Sequence, residues 1–413
     1  MIDIDDKWVR EVARKEGISE QQLVKAIKHG RAVILRRSVA NEYTILGIGN
    51  RLTTKVNANL GTSSEKCDIA EELEKARIAV KYGADTISDC SMQGDLDQIR
   101  QELLKYIPVP LTSIPIYQVV AKIRSFPDIQ DEHLLRTIEN HVKDGVASVV
   151  IHAGFTVEDL DFFREKPRLM GVVSKGGSMT SAIALSQHRE NPFLTLFDNI
   201  LDLLHDSGVV LNLGNAMRSG CVHDVQDLPQ SREVYLNAKL AKRANKRGVQ
   251  VIIEGLGGHV NARNLPHWVR KHKRATKGRP LFVAGPLPTE IGLGHDHISA
   301  AIGGALAAGA GADYLCAITP AEHLALPSKD QIREGVIAAK IAAHVGDSMK
   351  FGLGSHFQED YQLSLCRYQK DWQGQIDHAL DPEGATQIHP PGQKICTMCG
   401  AHCAIELMKK ILK

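Results

Sequence analysis

The sequence predicts an α/β protein built on a closed (β/α)8, TIM-like barrel, with a small N-terminal subdomain before it and a C-terminal helical domain after it. Three observations predict this. Short apolar or β-branched runs alternate with longer helical patterns from residue 55 to about residue 345, the rhythm of parallel strands joined by crossover helices. Nearly every run ends in polar or Gly-rich residues, as strands do where they share one functional rim of a barrel. The alternation then stops, and a proline-bearing stretch leads to a tail with clustered cysteines.

Residues 1–54 form the expected N-terminal subdomain, helical and polar to about residue 45, with EQQLVKAI as an amphipathic turn pattern. Nine strand candidates follow over residues 55–345: KVNANLG, ADTISDCS, LTSIPIY, ASVVIHAG, LMGVVSKGG, VVLNLGN, QVIIEGLGG, LFVAGP and DYLCAIT. Eight close a barrel, so one is spurious or lies outside it. A doubly wound sheet ranks second, because no GxGxxG follows the first strand and no Walker motif occurs. Residues 346–413 form the C-terminal domain, in which the prolines of ALDPEGATQIHPPGQK mark a loop.

Fifty basic against 48 acidic residues, without a long run of one sign, argue against a nucleic-acid or membrane surface. The start, MIDIDDKWVR, lacks the basic-then-apolar pattern of a secretory leader, so a cytoplasmic location is expected. Residues 298–312 are weakly polar but too short to span a bilayer. In this setting the eight cysteines stay reduced. Five are dispersed and read as small buried apolar residues.

The other three, Cys396, Cys399 and Cys403, stand at intervals of three and four residues in CTMCGAHC. Three thiolates leave one iron of a four-iron cluster without a protein ligand, which suits a cluster that binds and cleaves a substrate. A zinc knuckle completed by a distant His stays open as an alternative.

In order and over nearly the whole chain, KVNANLGTS, GADTISD, IPIYQ, IHAG, VSKGGS, RSGC, IEGLGGHV, DHISAAIG, ITPAEHLALPSKDQIREGVIAAKIAAH and CTMCGAHC resemble the thiamin pyrimidine synthase family of radical S-adenosylmethionine enzymes. The resemblance implies a barrel with a C-terminal 4Fe–4S cluster domain and a homodimer in which the cluster reaches the partner's barrel. It implies S-adenosylmethionine cleaved by an electron from an external donor, and aminoimidazole ribotide as substrate. Carried over by position, it implies substrate contacts at Asn59, Tyr117, His152, Ser174, Gly176, Arg218 and Glu254, with Glu254 also catalytic. His259 and His323 would hold a divalent metal, zinc or iron, and Cys396, Cys399 and Cys403 the cluster. These residue types suit the roles: Arg218 and the Ser-Lys-Gly-Gly turn can hold a phosphate, and Glu254 can move a proton.

The chain departs from the family pattern at Ser88, Lys175, Asn215 and Phe282, all counted in the substrate-facing set, and carries an extra residue before His259. Lost carboxylate, hydroxyl and thioether groups change the hydrogen bonds offered to one ligand. The expectation drawn from this is the paralogous reaction, aminoimidazole ribotide to 5-hydroxybenzimidazole for the lower ligand of a cobamide. The thiamin pyrimidine is the alternative product, and a non-radical zinc-dependent barrel lyase is the alternative of another class.

Overall fold

A computed structural model describes residues 5–39, 42–224, 226–352, 354 and 357–412; residues 1–4, the first part of the segment read for a leader, lie outside them. The chain divides into two units, Met1–Lys350 and Phe351–Lys413.

The first unit opens on two helices, Asp6–Glu16 and Glu20–Lys28, the second started by a Ser19/Gln22 capping box. An antiparallel hairpin of β1 (Ala32–Val39) and β2 (Glu42–Gly49) follows, where a helical stretch to about residue 45 was expected. Over residues 32–37 and 44–49 both faces of the hairpin are largely buried, which removes the period-two alternation that marks a half-exposed strand. Ala32, Ile34 and Ile45 pack on the two helices, while Val33, Leu35 and Ile48 join a second cluster with Val210, Ile252 and Tyr314 of the barrel interior. Polar ties add to this seal: Ile34 N–H donates to Gln250 Oε1 (2.8 Å), Arg36 to the Ser207 carbonyl (2.7 Å), and Arg37 to the Ile107 carbonyl. All three acceptors precede barrel strands, so the hairpin closes the face opposite the functional rim.

The barrel strands are β3 (Lys55–Leu60), β4 (Thr86–Asp89), β5 (Leu111–Ser113), β6 (Ser148–Ile151), β7 (Val210–Leu213), β8 (Val251–Glu254), β9 (Leu281–Ala284) and β10 (Tyr314–Ala317). Each pairs in parallel with the next, and β10 closes the ring onto β3. Eight of the nine expected runs are therefore barrel strands. The ninth, LMGVVSKGG, is an irregular loop that runs into the helix Lys175–Ser186. IPIY is not strand either: β5 stops at Ser113 and a helix starts at Pro115, where proline's fixed φ suits a first turn.

In the second unit, helices cover Gln358–Gln369, Trp372–Asp377, Pro382–Ile388 and Ala404–Ile411. The Pro382–Ile388 helix occupies a segment read as loop from its prolines; Pro382 begins the helix and Asp381 caps it through Gly384 N–H. Among the described residues no helix is long and apolar enough to cross a membrane.

Candidate active site

The C-terminal ends of β3 to β10 converge on one mouth, and the side chains named from the sequence gather there by virtue of their position after each strand. Glu254 ends β8. Its carboxylate accepts from Asn212 Nδ2 (3.0 Å) and from Asn215 N–H (3.2 Å). Burial raises its pKa, against the pull of these donors and of the Arg218 charge. Asn215, Ala216 and Met217, the turn after β7, hang on a second carboxylate. Glu233 of the helix Leu228–Lys246 accepts from Asn215 Nδ2, from Ala216 N–H (2.6 Å) and from Met217 N–H (3.1 Å). Burial pushes Glu233 up to about 8. Asn215 Oδ1 in turn accepts from Gly257 N–H (3.3 Å), so this amide ties the β7 and β8 loops together.

His152 follows β6 and lies between two glycines. A Cβ on Gly176 would fall 2.2 Å from its ring, and one on Gly214 would fall 2.7 Å from it. Its Nδ1 is buried without a hydrogen-bond partner among the described residues, and burial with the Arg218 charge lowers its pKa to about 3, so the ring is neutral near pH 7. Ser174 caps the next helix through Gly177 N–H (3.1 Å). That places Lys175 and Gly176 in its first turn, where unpaired backbone N–H groups favour an anion. Lys175 Nζ stands 5.4 Å from the centre of the Tyr117 ring, and burial raises the Tyr117 pKa. The Arg218 charge thus acts on Glu254, His152 and Tyr117 alike, so these four share the mouth.

Ser88, Asn59 and Phe282 are also engaged within the protein. Asn57 Oδ1 accepts from Thr86 (2.9 Å), Ser88 (2.9 Å) and Tyr314 (3.3 Å), and Asn57 Nδ2 donates to Asn59 Oδ1 (2.8 Å). Ser88 therefore spends its hydroxyl proton on Asn57, while Asn59 is exposed at the mouth. Phe282 does not reach the rim: it is stacked on Tyr314 at 4.1 Å in the interior cluster below.

Beyond β8 and β10, His259 and His323 face each other with Nε2 atoms 3.3 Å apart. Each turns its other nitrogen to a carboxylate: His259 Nδ1 lies 2.9 Å from Glu290, and His323 Nδ1 lies 3.3 Å from Asp296. Two imidazole ligands on one tetrahedral ion, with bonds of about 2.0–2.1 Å, stand roughly 3.3 Å apart, and their outer nitrogens usually rest on carboxylates. The pair fits a divalent metal. Among the described residues no three His, Cys, Asp or Glu side chains converge, so water or substrate must complete such a shell.

Glu290, Asp296 and Glu233 escaped the sequence reading. Glu233 had a signal: with Asn237 it sits on the buried stripe of its helix alongside Leu240, Ala241 and Ala244, where polar residues need a reason. Asp296 lay inside the quoted DHISAAIG. Glu290 stands in a Gly-rich loop without periodicity to single it out.

In the second unit Cys396 and Cys399 are exposed and Cys403 part-buried, all three as free thiols. Gly400 takes a left-handed turn (φ 51°) between them. Cys403 immediately precedes the helix Ala404–Ile411, where the N–H groups of Glu406 and Ile405, with the Lys370 charge, lower its pKa. A stabilised thiolate is what an iron–sulfur cluster asks of its ligands.

The profile of the Radical SAM ThiC family matches residues 3–410. A phosphomethylpyrimidine synthase of Archaeoglobus fulgidus is 42% identical, aligned over 98% of this chain and 96% of its own length. Those of Methanopyrus kandleri (40%; 98% and 96%) and Desulfotalea psychrophila (42%; 97% and 94%) are comparably similar. These matches overturn the expected 5-hydroxybenzimidazole product and its cobalamin pathway, since the relatives aligned over nearly the whole chain are phosphomethylpyrimidine synthases. The geometry supplies a reason: Ser88, Asn215 and Phe282 satisfy partners inside the protein, so their identities do not report a changed ligand. By profile and by relatives alike, the chain belongs to the Radical SAM ThiC family.

Proposed function

We propose that this chain converts aminoimidazole ribotide to the phosphorylated hydroxymethylpyrimidine of thiamin, with S-adenosylmethionine as co-substrate. The observation that carries the reading is the mouth itself. A cation (Arg218), a helix N-terminus (Lys175, Gly176), a neutral His152 whose Nδ1 has no partner among the described residues and a Glu254 with raised pKa gather past the C-terminal ends of the barrel strands, in a chain matched end to end by phosphomethylpyrimidine synthases.

In this reading Arg218 and the first turn of the Ser174-capped helix bind the substrate phosphate, by charge and by backbone N–H groups. His152 donates or accepts at a ring nitrogen without changing charge. Glu254 takes and returns a proton at its carboxylate, a role that burial favours by raising its pKa. Asn59 and Tyr117 orient the ribotide, and the surrounding wall excludes water. A 4Fe–4S cluster on Cys396, Cys399 and Cys403 supplies, when bound, the electron that cleaves S-adenosylmethionine. His259 and His323 would hold zinc or ferrous iron, a Lewis acid for an oxygen or nitrogen of the substrate. A homodimer and an external one-electron donor complete the proposal.

The test is anaerobic turnover of the reconstituted protein with aminoimidazole ribotide, S-adenosylmethionine and a strong reductant. Hydroxymethylpyrimidine phosphate with 5′-deoxyadenosine is the expected outcome. Any other heterocycle, or turnover in air by a colourless zinc-loaded protein, would refute it.

A further inference from the structure

Behind the loop that carries Arg218 lies a second arginine that the proposed chemistry does not use. The Arg168 side chain is 4% exposed. Its Nε and Nη2 grip Asp227 as a fork, at 2.6 and 2.8 Å. Nη2 also donates to the Met217 carbonyl (2.9 Å), and Nη1 to the carbonyls of Arg218 (3.1 Å) and Gly171 (3.3 Å). Phe163 lies beneath the guanidinium, 4.5 Å from ring centre to Cζ. A guanidinium has five N–H donors, and these bonds use every one. None is left for a ligand.

The anchor at the far side is firm. Asp227 also caps the helix Leu228–Lys246 through Gln230 N–H (3.1 Å), the helix whose Glu233 holds the preceding turn. Asp224 fastens the opposite loop by accepting from Leu169 N–H (2.8 Å) and Met170 N–H (3.2 Å). Past Arg218, Val222 N–H donates to Glu290 (2.8 Å). The segment 215–222 is thus held before Arg218 by Glu233, at Arg218 by Arg168, and after it by Glu290.

We infer that Arg168, through its fork to Asp227, is the positioning residue that sets Arg218 for the substrate phosphate. The inference rests on the reading of Arg218 proposed above. Lysine cannot replace Arg168, because one ammonium has three donors and no planar fork to reach a carboxylate and three carbonyls together.

The experiment compares R168K, D227N, R218A and the double variant R168K/R218A in the full-length, anaerobically reconstituted protein. Turnover kinetics and hydrogen–deuterium exchange of residues 215–222 are both read. We expect R168K to raise KM for aminoimidazole ribotide about 10-fold or more, with a smaller change in kcat, unchanged iron content, and faster exchange confined to that loop. R168K/R218A should be no worse than R218A, since a residue acting only through Arg218 has nothing left to position. Additive losses, or a loop that exchanges as in the wild type, would overturn the inference. If R218A leaves KM unchanged, the phosphate role of Arg218 fails. Exchange in R168K then still decides whether Arg168 sets the loop. Should R168K not fold, D227N, which keeps shape and weakens the fork, carries the same expectations.

Discussion

Gly176→Ala is the sharpest test of how the mouth is built. The added methyl would lie 2.2, 2.6 and 2.8 Å from Cε1, Nδ1 and Nε2 of His152, all inside van der Waals contact. The ring cannot retreat, because it is 3% exposed and Gly214 backs it closely on another side. Forcing a methyl into so closed a site costs about 1–3 kcal/mol. With a urea m-value of a few kcal/mol per molar at this size, the unfolding midpoint should fall by roughly 0.3–1 M. Thermal and urea unfolding of the purified apoprotein measure this, with Gly354→Ala, whose Cβ meets nothing within 4 Å among the described residues, as the neutral control. The cause is identified by the double variant: His152→Ala removes the ring and makes room, so G176A/H152A should be more stable than the sum of the single losses. A G176A protein that unfolds with the wild type, or a double variant that is merely additive, would refute the sandwiched placement of His152.

Three further outcomes follow from the same geometry. Replacing Cys396, Cys399 or Cys403 by Ala should remove the brown colour, most of the bound iron and all 5′-deoxyadenosine formation; a variant with full iron and turnover would exclude that cysteine as a ligand. Glu290→Ala or Asp296→Ala should weaken zinc binding about 10–100-fold, read by competition with a chelator, because each imidazole loses the carboxylate that orients it. Unchanged affinity would mean the pair does not bind metal in this geometry. His141, His152 and His272 are each lowered by burial to about 3. Below the unfolded value of about 6.5 the unfolded chain takes up protons that the native protein refuses. The contribution of these histidines is therefore full above that pH and declines as pH falls toward 3, by up to about 1.4 kcal/mol per pH unit for each. Because the raised carboxyls Glu233 and Glu254 act in the opposite sense, the test compares the wild type with a His272→Gln variant, and identical pH profiles of the urea midpoint from pH 7 to 4.5 would contradict the reasoning for His272.

The barrel was legible because its strands are short, apolar and evenly punctuated by helices, and because the polar residues just past each strand can only line one rim. The same logic misled at LMGVVSKGG. Leu169 and Met170 look like strand residues, yet they are 74% and 55% exposed and give their N–H groups to Asp224. A β-branched run does not say which partner its backbone will find. The hairpin β1–β2 was invisible for the opposite reason: over residues 32–37 and 44–49 it is largely buried on both faces, so neither alternation nor a polar side announced it. Glu290 and Asp296 could not be read as partners of His259 and His323, because the contacts span 31 and 27 positions across irregular loops.

The departures at Ser88, Asn215 and Phe282 show where residue-by-residue inference from a family pattern stops. A sequence reveals which donors and acceptors exist; it does not reveal whom they face. Asn215 replaces a carboxylate, and its amide now donates to Glu233 and accepts from Gly257 N–H. An aspartate there would set one carboxylate against another, so the amide relieves a repulsion that its own scaffold would otherwise impose. Phe282, in place of a tyrosine, gives up a hydroxyl that would have needed a partner in an apolar cluster beside Tyr314. Each exchange is complete without reference to substrate. Specificity in this mouth is better sought in Arg218, Glu254 and His152: the Arg218 charge acts on both of the others, and among the described residues the buried His152 Nδ1 has no hydrogen-bond partner.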